Sequence, residues 1–324
     1  MALDEILVLD TKARPDRGVL EFFVTGCSGF IGTHLVARLL DEGHIVIGYD
    51  LVQPHYSHPN FEFIEGDILD LERLQASVTR PDGIYHLAAQ TTVLEATRDP
   101  ICDFQTNARG TLNVLSCASS SRFIYASTST VYGAAAIPTT EAHTTHPVSF
   151  YGASKAAGEF YCFAFNGMFG LPTISLRLYN VYGPGNAKGV MHDLIAKLQR
   201  NSHELEILGT GLQKKDYVYI DDVVDAFLLA YDKGVPGNAY NVGSGNAITV
   251  NEIAALICEM MNLHPPIHYT GGKSWEGDIE STLADITAFT ALGWEPRIDV
   301  KMGLQHLYKW MQQRGQQHGK WKDD

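Results

Sequence analysis

A chain of 324 residues carrying 24 Lys plus Arg against 37 Asp plus Glu has a formal charge of −13, which argues against nucleic acid or an anionic membrane as partner. An apolar fraction of 45% and a charged fraction of 19% describe an ordinary globular protein, and the length predicts two lobes. No apolar run approaches the roughly 18 residues of a membrane span, and five dispersed cysteines without metal-ligand spacing point to reduced thiols in a cytoplasmic protein.

Asp4, Glu5 and Asp10 interrupt the first apolar stretch and argue against a secretory leader, so residues 1–18 are read as an N-terminal extension. From there short β-branched runs alternate with helical patterns. Strands are predicted at 20–25, 45–50, 61–64, 84–88, 123–127 and 173–178. Helices are predicted at 30–42, 70–79, 100–118 and 151–168; the first places Leu35, Val36, Leu39 and Leu40 on one face and is stopped by Gly43. This alternation implies βαβ units and an α/β fold, a doubly wound parallel sheet covered on both faces. After about residue 185 the rhythm changes: a helix at 189–200, strand 205–208, helix 221–232, strand 239–242, helix 250–262, then a mixed segment ending in a helix. The expected division is a sheet lobe of 19–185 plus 214–245 and a smaller lobe of 186–213 plus 246–324. Ligands of such sheets lie at the carboxyl ends of the strands.

The first strand runs into Thr25-Gly26-Cys27-Ser28-Gly29-Phe30-Ile31-Gly32, which opens the first helix. Gly26, Gly29 and Gly32 suit a tight turn, close approach of backbone to a pyrophosphate and close helix–sheet packing; Phe30 and Ile31 begin the helix whose N-terminus favours the negative charge. Asp50 ends the second strand, where a carboxylate bonds the adenosine ribose hydroxyls and repels a 2′-phosphate. A Rossmann-type site for NAD rather than NADP follows. Asp67 and Ile68 after the third strand, and Leu87, Ala88 and Ala89 after the fourth, line the same edge. An Asp in such a place also serves as an ordinary turn cap.

Tyr151 and Lys155 in Tyr151-Gly152-Ala153-Ser154-Lys155 are four apart on a predicted helix and share a face. A phenol near pKa 10 is a poor base at neutral pH; a neighbouring ammonium and a positive nicotinamide ring favour its phenolate. Ser127-Thr128-Ser129-Thr130 ends the fifth strand, where a hydroxyl meets the same substrate oxygen.

TGCSGFIG, the Asp50 strand end, HLAA, STSTVYG, YGASK, LRLYNVYGPG and DYVYIDDVVDA, in this order, resemble the extended short-chain dehydrogenase/reductases. Within them the chain is similar to the nucleotide-sugar epimerase/dehydratase family, from residue 19 to about 300. The resemblance implies Thr128, Tyr151 and Lys155 as the catalytic set, Tyr151 and Lys155 touching the cofactor as well, and Asn180 as a substrate contact. It also implies a nucleotide-sugar substrate and a homodimer in which the helices at about 100–118 and 151–168 form a four-helix bundle. Relatives that dehydrate carry Asp-Glu directly after the Thr, and decarboxylases commonly a Glu at position 130. Ser129 and Thr130 stand here, which favours 4-epimerisation of a UDP-hexose through a 4-keto sugar, with a dehydratase or decarboxylase, or a net oxidoreductase on another alcohol or ketone, as the alternatives. Two departures touch the substrate side. Lys215 replaces the usual Arg before Asp216, and Trp275-Glu276-Gly277-Asp278 replaces an Arg-x-Gly-Asp segment, with Lys273 as a substitute cation. Thirteen scattered His residues suggest no metal.

Overall fold

The computed structural model describes residues 18–272 and 279–317. The readings made for the N-terminal extension up to residue 17, and for Lys273, Trp275 and Asp278, lie outside the described residues.

In chain order the first elements are β1 (Glu21–Thr25), α1 (Phe30–Asp41), β2 (Ile45–Asp50), β3 (Phe61–Glu65), α2 (Leu71–Ser77) and β4 (Gly83–His86). There follow α3 (Val93–Arg98), α4 (Pro100–Phe104), α5 (Gly110–Cys117), β5 (Arg122–Thr128), α6 (Phe150–Phe169) and β6 (Thr173–Leu178). The chain then leaves the sheet through β7 (Asn180–Tyr182), α7 (Val190–Arg200), β8 (Leu205–Ile207) and β9 (Lys214–Tyr219). It returns by α8 (Ile220–Lys233) and β10 (Asn238–Val242). Last come β11 (Ala247–Thr249), α9 (Val250–Met261), β12 (Ile267–Tyr269), α10 (Thr287–Thr290) and α11 (Val300–Gln317).

Seven parallel strands lie in the order β10-β6-β5-β4-β1-β2-β3, the doubly wound α/β arrangement expected. Strand alternation explains why both faces are covered. On β1, Phe22 and Val24 join the core that holds Leu35 and Leu39 of α1 and Phe227 of α8. Phe23 between them joins the opposite core with Val114 of α5 and Cys162 of α6. The chain builds outward from β1 through β2 and β3, then crosses to the other side of β1 for β4. The crevice above the carboxyl ends of β1 and β4 is therefore the topological switch point, where such folds take ligands.

Two features differ from the sequence reading. The expected helix at 100–118 is interrupted by a π-turn at Gln105–Arg109 between α4 and α5. Hydrophobic period does not register one inserted residue, and such turns concentrate at functional sites. The segment 214–219 does not pair with the main sheet: β9 is the middle strand of a separate sheet, β11-β9-β7, while β12 pairs with β8. No helix among the described residues is long and apolar enough to cross a membrane.

Candidate active site

The turn after β1 is built for backbone contact. Gly26 has φ +72°, and a Cβ there would lie 2.6 Å from the Ala88 nitrogen in the loop after β4. A Cβ on Gly32 would stand 2.0 Å from the Gly26 carbonyl oxygen, so α1 approaches its own turn only because residue 32 is glycine. Gly29 is the N-cap of α1 and provides no side-chain hydrogen bond, leaving the helix start to an external acceptor. Asp50 at the end of β2 is half-buried; its carboxylate accepts from the Ser28 N–H at 2.9 Å and the Val52 N–H at 3.2 Å. Phe30, Ile31, Leu87, Ala88 and Ala89 are partly exposed around this crevice, and Ile68 is buried beneath it. Asp67 caps its own turn by accepting from the Leu69 N–H at 2.9 Å. An uncapped helix start, glycines with no room for Cβ and a carboxylate at the second strand end fit a dinucleotide.

Helix α6 begins at its N-cap Ser149, which accepts from the Gly152 N–H, and its first turns carry Tyr151, Ser154 and Lys155. Thr128, the last residue of β5, is buried and hydrogen-bonds Tyr151. Burial pushes the Tyr151 phenol up to about 12, against the Thr128 hydrogen bond, and the Asp103 charge adds to the rise. Lys155 itself is 3% exposed and is driven down to about 7 by burial, against the pull of Cys162, Asp103 and Glu159. Its Nζ lies 4.3 Å from the centroid of the Tyr125 ring. A low-dielectric pocket penalises phenolate and ammonium alike, and both shifts have that cause.

This arrangement has a thermodynamic consequence. Because the folded pKa of Lys155 lies below the ordinary lysine value, the unfolded chain holds more protons between about pH 7 and the normal lysine range. Stability must rise with pH across that window. Tyr151, shifted upward, opposes this only above the ordinary tyrosine pKa. In protein without added NAD, the Tm of wild type should therefore climb relative to that of Lys155→Met from pH 7 to pH 9. Parallel curves would contradict the assignment.

A directed hydrogen-bond chain supports the pair from below. Thr111 Oγ1 donates to the Asn107 carbonyl at 2.5 Å, so it accepts from Nε2–H of His86 at 2.9 Å. Nδ1 of His86 then accepts from the Thr25 hydroxyl at 2.7 Å, whose oxygen accepts from the Ala88 N–H at 3.3 Å. His86 is fully buried and driven down to about 3, chiefly by burial and then by the Lys155 charge, which keeps it neutral and this tautomer in place. Asn107, inside the π-turn, accepts from the Gln90 N–H and donates toward the Gln90 carbonyl, Asp103 and Ser154. Sequence reasoning missed His86, Asp103, Asn107 and Ser154 as parts of the site. The only local sign was Asp103 and Asn107 one helical turn apart.

Beside Thr128 opens a cavity of about 1000 Å³, lined on the β5 side by Ser129 and Thr130 and on the far wall by α7 and β8. Asn180 lines it while donating to the Asp216 carbonyl at 2.8 Å. Lys215 also lines it, and its ammonium donates to the Ile279 carbonyl. Lys188, Lys197 and Arg200 also line it, with the carboxylates Asp193 and Glu206, and Lys197 pairs with Glu206 at 3.2 Å. Among the described residues no group of three or more His, Cys, Asp or Glu is placed to hold a metal ion.

Comparison with known proteins agrees with this geometry. The model of the NAD-dependent epimerase/dehydratase family matches residues 22–243. A UDP-glucose 4-epimerase of Mycolicibacterium smegmatis is 33% identical over 320 residues, covering 90% of this chain and 99% of the relative. The crystal structure of UDP-glucose 4-epimerase with UDP-glucose from Thermotoga maritima superposes with a TM-score of 0.85 at 34% identity, covering 91% of this chain and 99% of that one. MoeE5 in complex with UDP-glucuronic acid and NAD gives 0.83 at 30% identity, with 91% and 99% covered. The chain belongs to the NAD-dependent epimerase/dehydratase family, the nucleotide-sugar branch of the extended short-chain dehydrogenases, and its cofactor is NAD.

Proposed function

We propose that the chain is a nucleotide-sugar 4-epimerase acting on a UDP-hexose. The observation that carries this reading is the hydroxyl row Thr128, Ser129 and Thr130 beside Tyr151, with no carboxylate at 129 or 130 to abstract a carbon-bound proton. NAD, held by the 26–32 turn, Asp50 and the edge formed by Asp67, Ile68 and residues 87–89, supplies the hydride acceptor and donor when bound. Tyr151 takes the proton of the sugar 4-hydroxyl and later returns it. Thr128 holds the same oxygen by a hydrogen bond, and Lys155 supplies the nearby cation that favours the phenolate. The resulting 4-keto sugar turns over in the cavity and is reduced on its other face.

The cations Lys188, Arg200 and Lys215 support a diphosphate-bearing substrate in a protein whose net charge is otherwise strongly negative. Asn180, Lys215, Trp275 and Asp278 belong to the substrate side in this reading. The cavity draws Ser129 and Thr130 from the sheet lobe and α7 from the 186–213 segment, which supports the two-lobe division. Purified protein with NAD should convert at least one of UDP-glucose, UDP-N-acetylglucosamine and UDP-glucuronate to its 4-epimer, read from the anomeric proton signals. Conversion of none of them, or stoichiometric release of NADH, rejects the reading.

The reading includes a cytoplasmic homodimer. The five cysteines are free thiols, as a reducing compartment keeps them. Ile101 and Phe104 on α4 and Phe160, Met168 and Phe169 on α6 are more than half exposed on neighbouring helices. Sedimentation analysis should give a dimer for wild type and a monomer for Ile101→Glu/Phe160→Glu; a monomeric wild type contradicts the four-helix interface.

A further inference from the structure

His34 lies on α1 one helical turn beyond Phe30 and is 9% exposed. Its Nε2 stands 2.9 Å from the Pro184 carbonyl, 150 residues further along the chain. A carbonyl only accepts, so Nε2 carries the proton and donates it. Nδ1 lies 3.9 Å from the Asp221 carboxylate at the start of α8, beyond hydrogen-bond reach. Packing repeats the contact with the turn. The Phe30 and His34 rings meet edge to face at 5.7 Å. A Cβ on Gly185, where φ is +91°, would lie 3.5 Å from both His34 Nε2 and the Phe30 ring. The turn 183–185 therefore rests on the first turns of α1, and the hydrogen bond fixes it there.

Both sides of this contact belong to the site. Helix α1 is the one whose uncapped start fits the dinucleotide. On the other side, Tyr182 and Gly183 precede Pro184 and Asn186, Lys188 and Gly189 follow it, and all five line the cavity. The turn has few bonds of its own. The Asn186 N–H donates to the Gly183 carbonyl at 3.2 Å, and the Lys188 N–H donates to Asn186 Oδ1 at 3.0 Å. Glycines at 183, 185 and 189 make such a segment costly to order, so its conformation depends on an anchor from outside.

We propose that His34 is a positioning residue that ties the substrate cavity to the cofactor helix: its Nε2–H holds the Pro184 turn, and with it the cavity wall at 182–189, against α1. This rests on the reading of the 26–32 turn as the NAD site.

The test uses the full chain saturated with NADH, compared as wild type, His34→Leu and His34→Gln. Leucine fills the place of the ring without a donor, and glutamine returns an N–H of similar reach. Amide hydrogen exchange across 185–190, read by mass spectrometry, should be about five- to tenfold faster in His34→Leu, the factor of one lost hydrogen bond. His34→Gln should restore the wild-type rate, and strands β1 and β5 should exchange alike in all three. An unchanged rate at 185–190 in His34→Leu overturns the proposal. Faster exchange in the turn and in both strands alike also overturns it, because His34 then serves general stability. If His34→Leu does not fold, His34→Asn replaces it: the shorter amide falls short of Pro184, so the turn should exchange faster than in His34→Gln, and equal rates overturn the proposal. The same spectra read residues 26–32. Absence of NADH protection there rejects the cofactor reading and the link with it, whereas unchanged rates at 185–190 with that protection present reject the link alone.

Discussion

Tyr151→Phe should fold, bind NADH and lose turnover by roughly 10²–10⁴-fold, the range for removal of a general acid–base group. The phenolic oxygen is the one group at this position that can exchange a proton with the sugar hydroxyl, and its hydrogen bond to Thr128 places it at the end of β5. Loss of that one hydrogen bond costs about 1 kcal/mol of stability, far too little to explain inactivity by unfolding. Thr128→Val should be milder, about tenfold, since it removes a hydrogen bond to the reacting oxygen and leaves the proton carrier. Steady-state rates with the converted UDP-sugar, beside NADH fluorescence titrations, check both. A Tyr151→Phe variant that turns over within a factor of about three of wild type would remove this residue from the chemistry.

Arg177→Met should destabilise the fold by about 3–5 kcal/mol in urea unfolding, because it strands a buried carboxylate. Glu159 is 1% exposed and Arg177 5%, and Arg177 Nε lies 3.1 Å from Glu159 Oε1. Arg177 also donates to the Tyr132 hydroxyl at 2.8 Å and to the Glu141 carbonyl at 3.1 Å, tying the segment after β5 to the sheet. Tyr132 continues the network to Asn241 on β10 at 2.7 Å. Removing both charges, in Arg177→Met/Glu159→Leu, should recover part of the loss, since the stranded carboxylate is what destabilises the single variant most. A double variant less stable than Arg177→Met would show instead that the hydrogen bonds to Tyr132 and Glu141 dominate.

The parts of the site that sequence reasoning reached are local ones. Gly26, Gly29 and Gly32 lie within one turn, Asp50 ends the next strand, and Tyr151 and Lys155 are one helical turn apart, so backbone periodicity alone places them. The doubly wound sheet followed from the same alternation. Groups that meet only after folding stayed out of reach. His86 touches Thr25 and Thr111 across three elements, and Asn107 reaches Ser154 because a π-turn rotates it, a one-residue change invisible to hydrophobic period. The motif YGASK contained Ser154 and Lys155, yet nothing in it announces that Asp103 is their neighbour. β9 was not among the predicted strands, and its partners are β7 and β11 rather than the main sheet. Burial, which a sequence does not display, raises the Tyr151 phenol.

Isotope tracing is the most direct test of the central claim that Tyr151 and NAD oxidise and re-reduce a single carbon of a nucleotide sugar. Purified protein and NAD, given the converted UDP-hexose with deuterium at C4, should yield the 4-epimer with the label still at C4 and without net NADH in solution. Loss of the label to solvent, appearance of a dehydrated or decarboxylated sugar, or accumulation of NADH in step with substrate oxidation would contradict it.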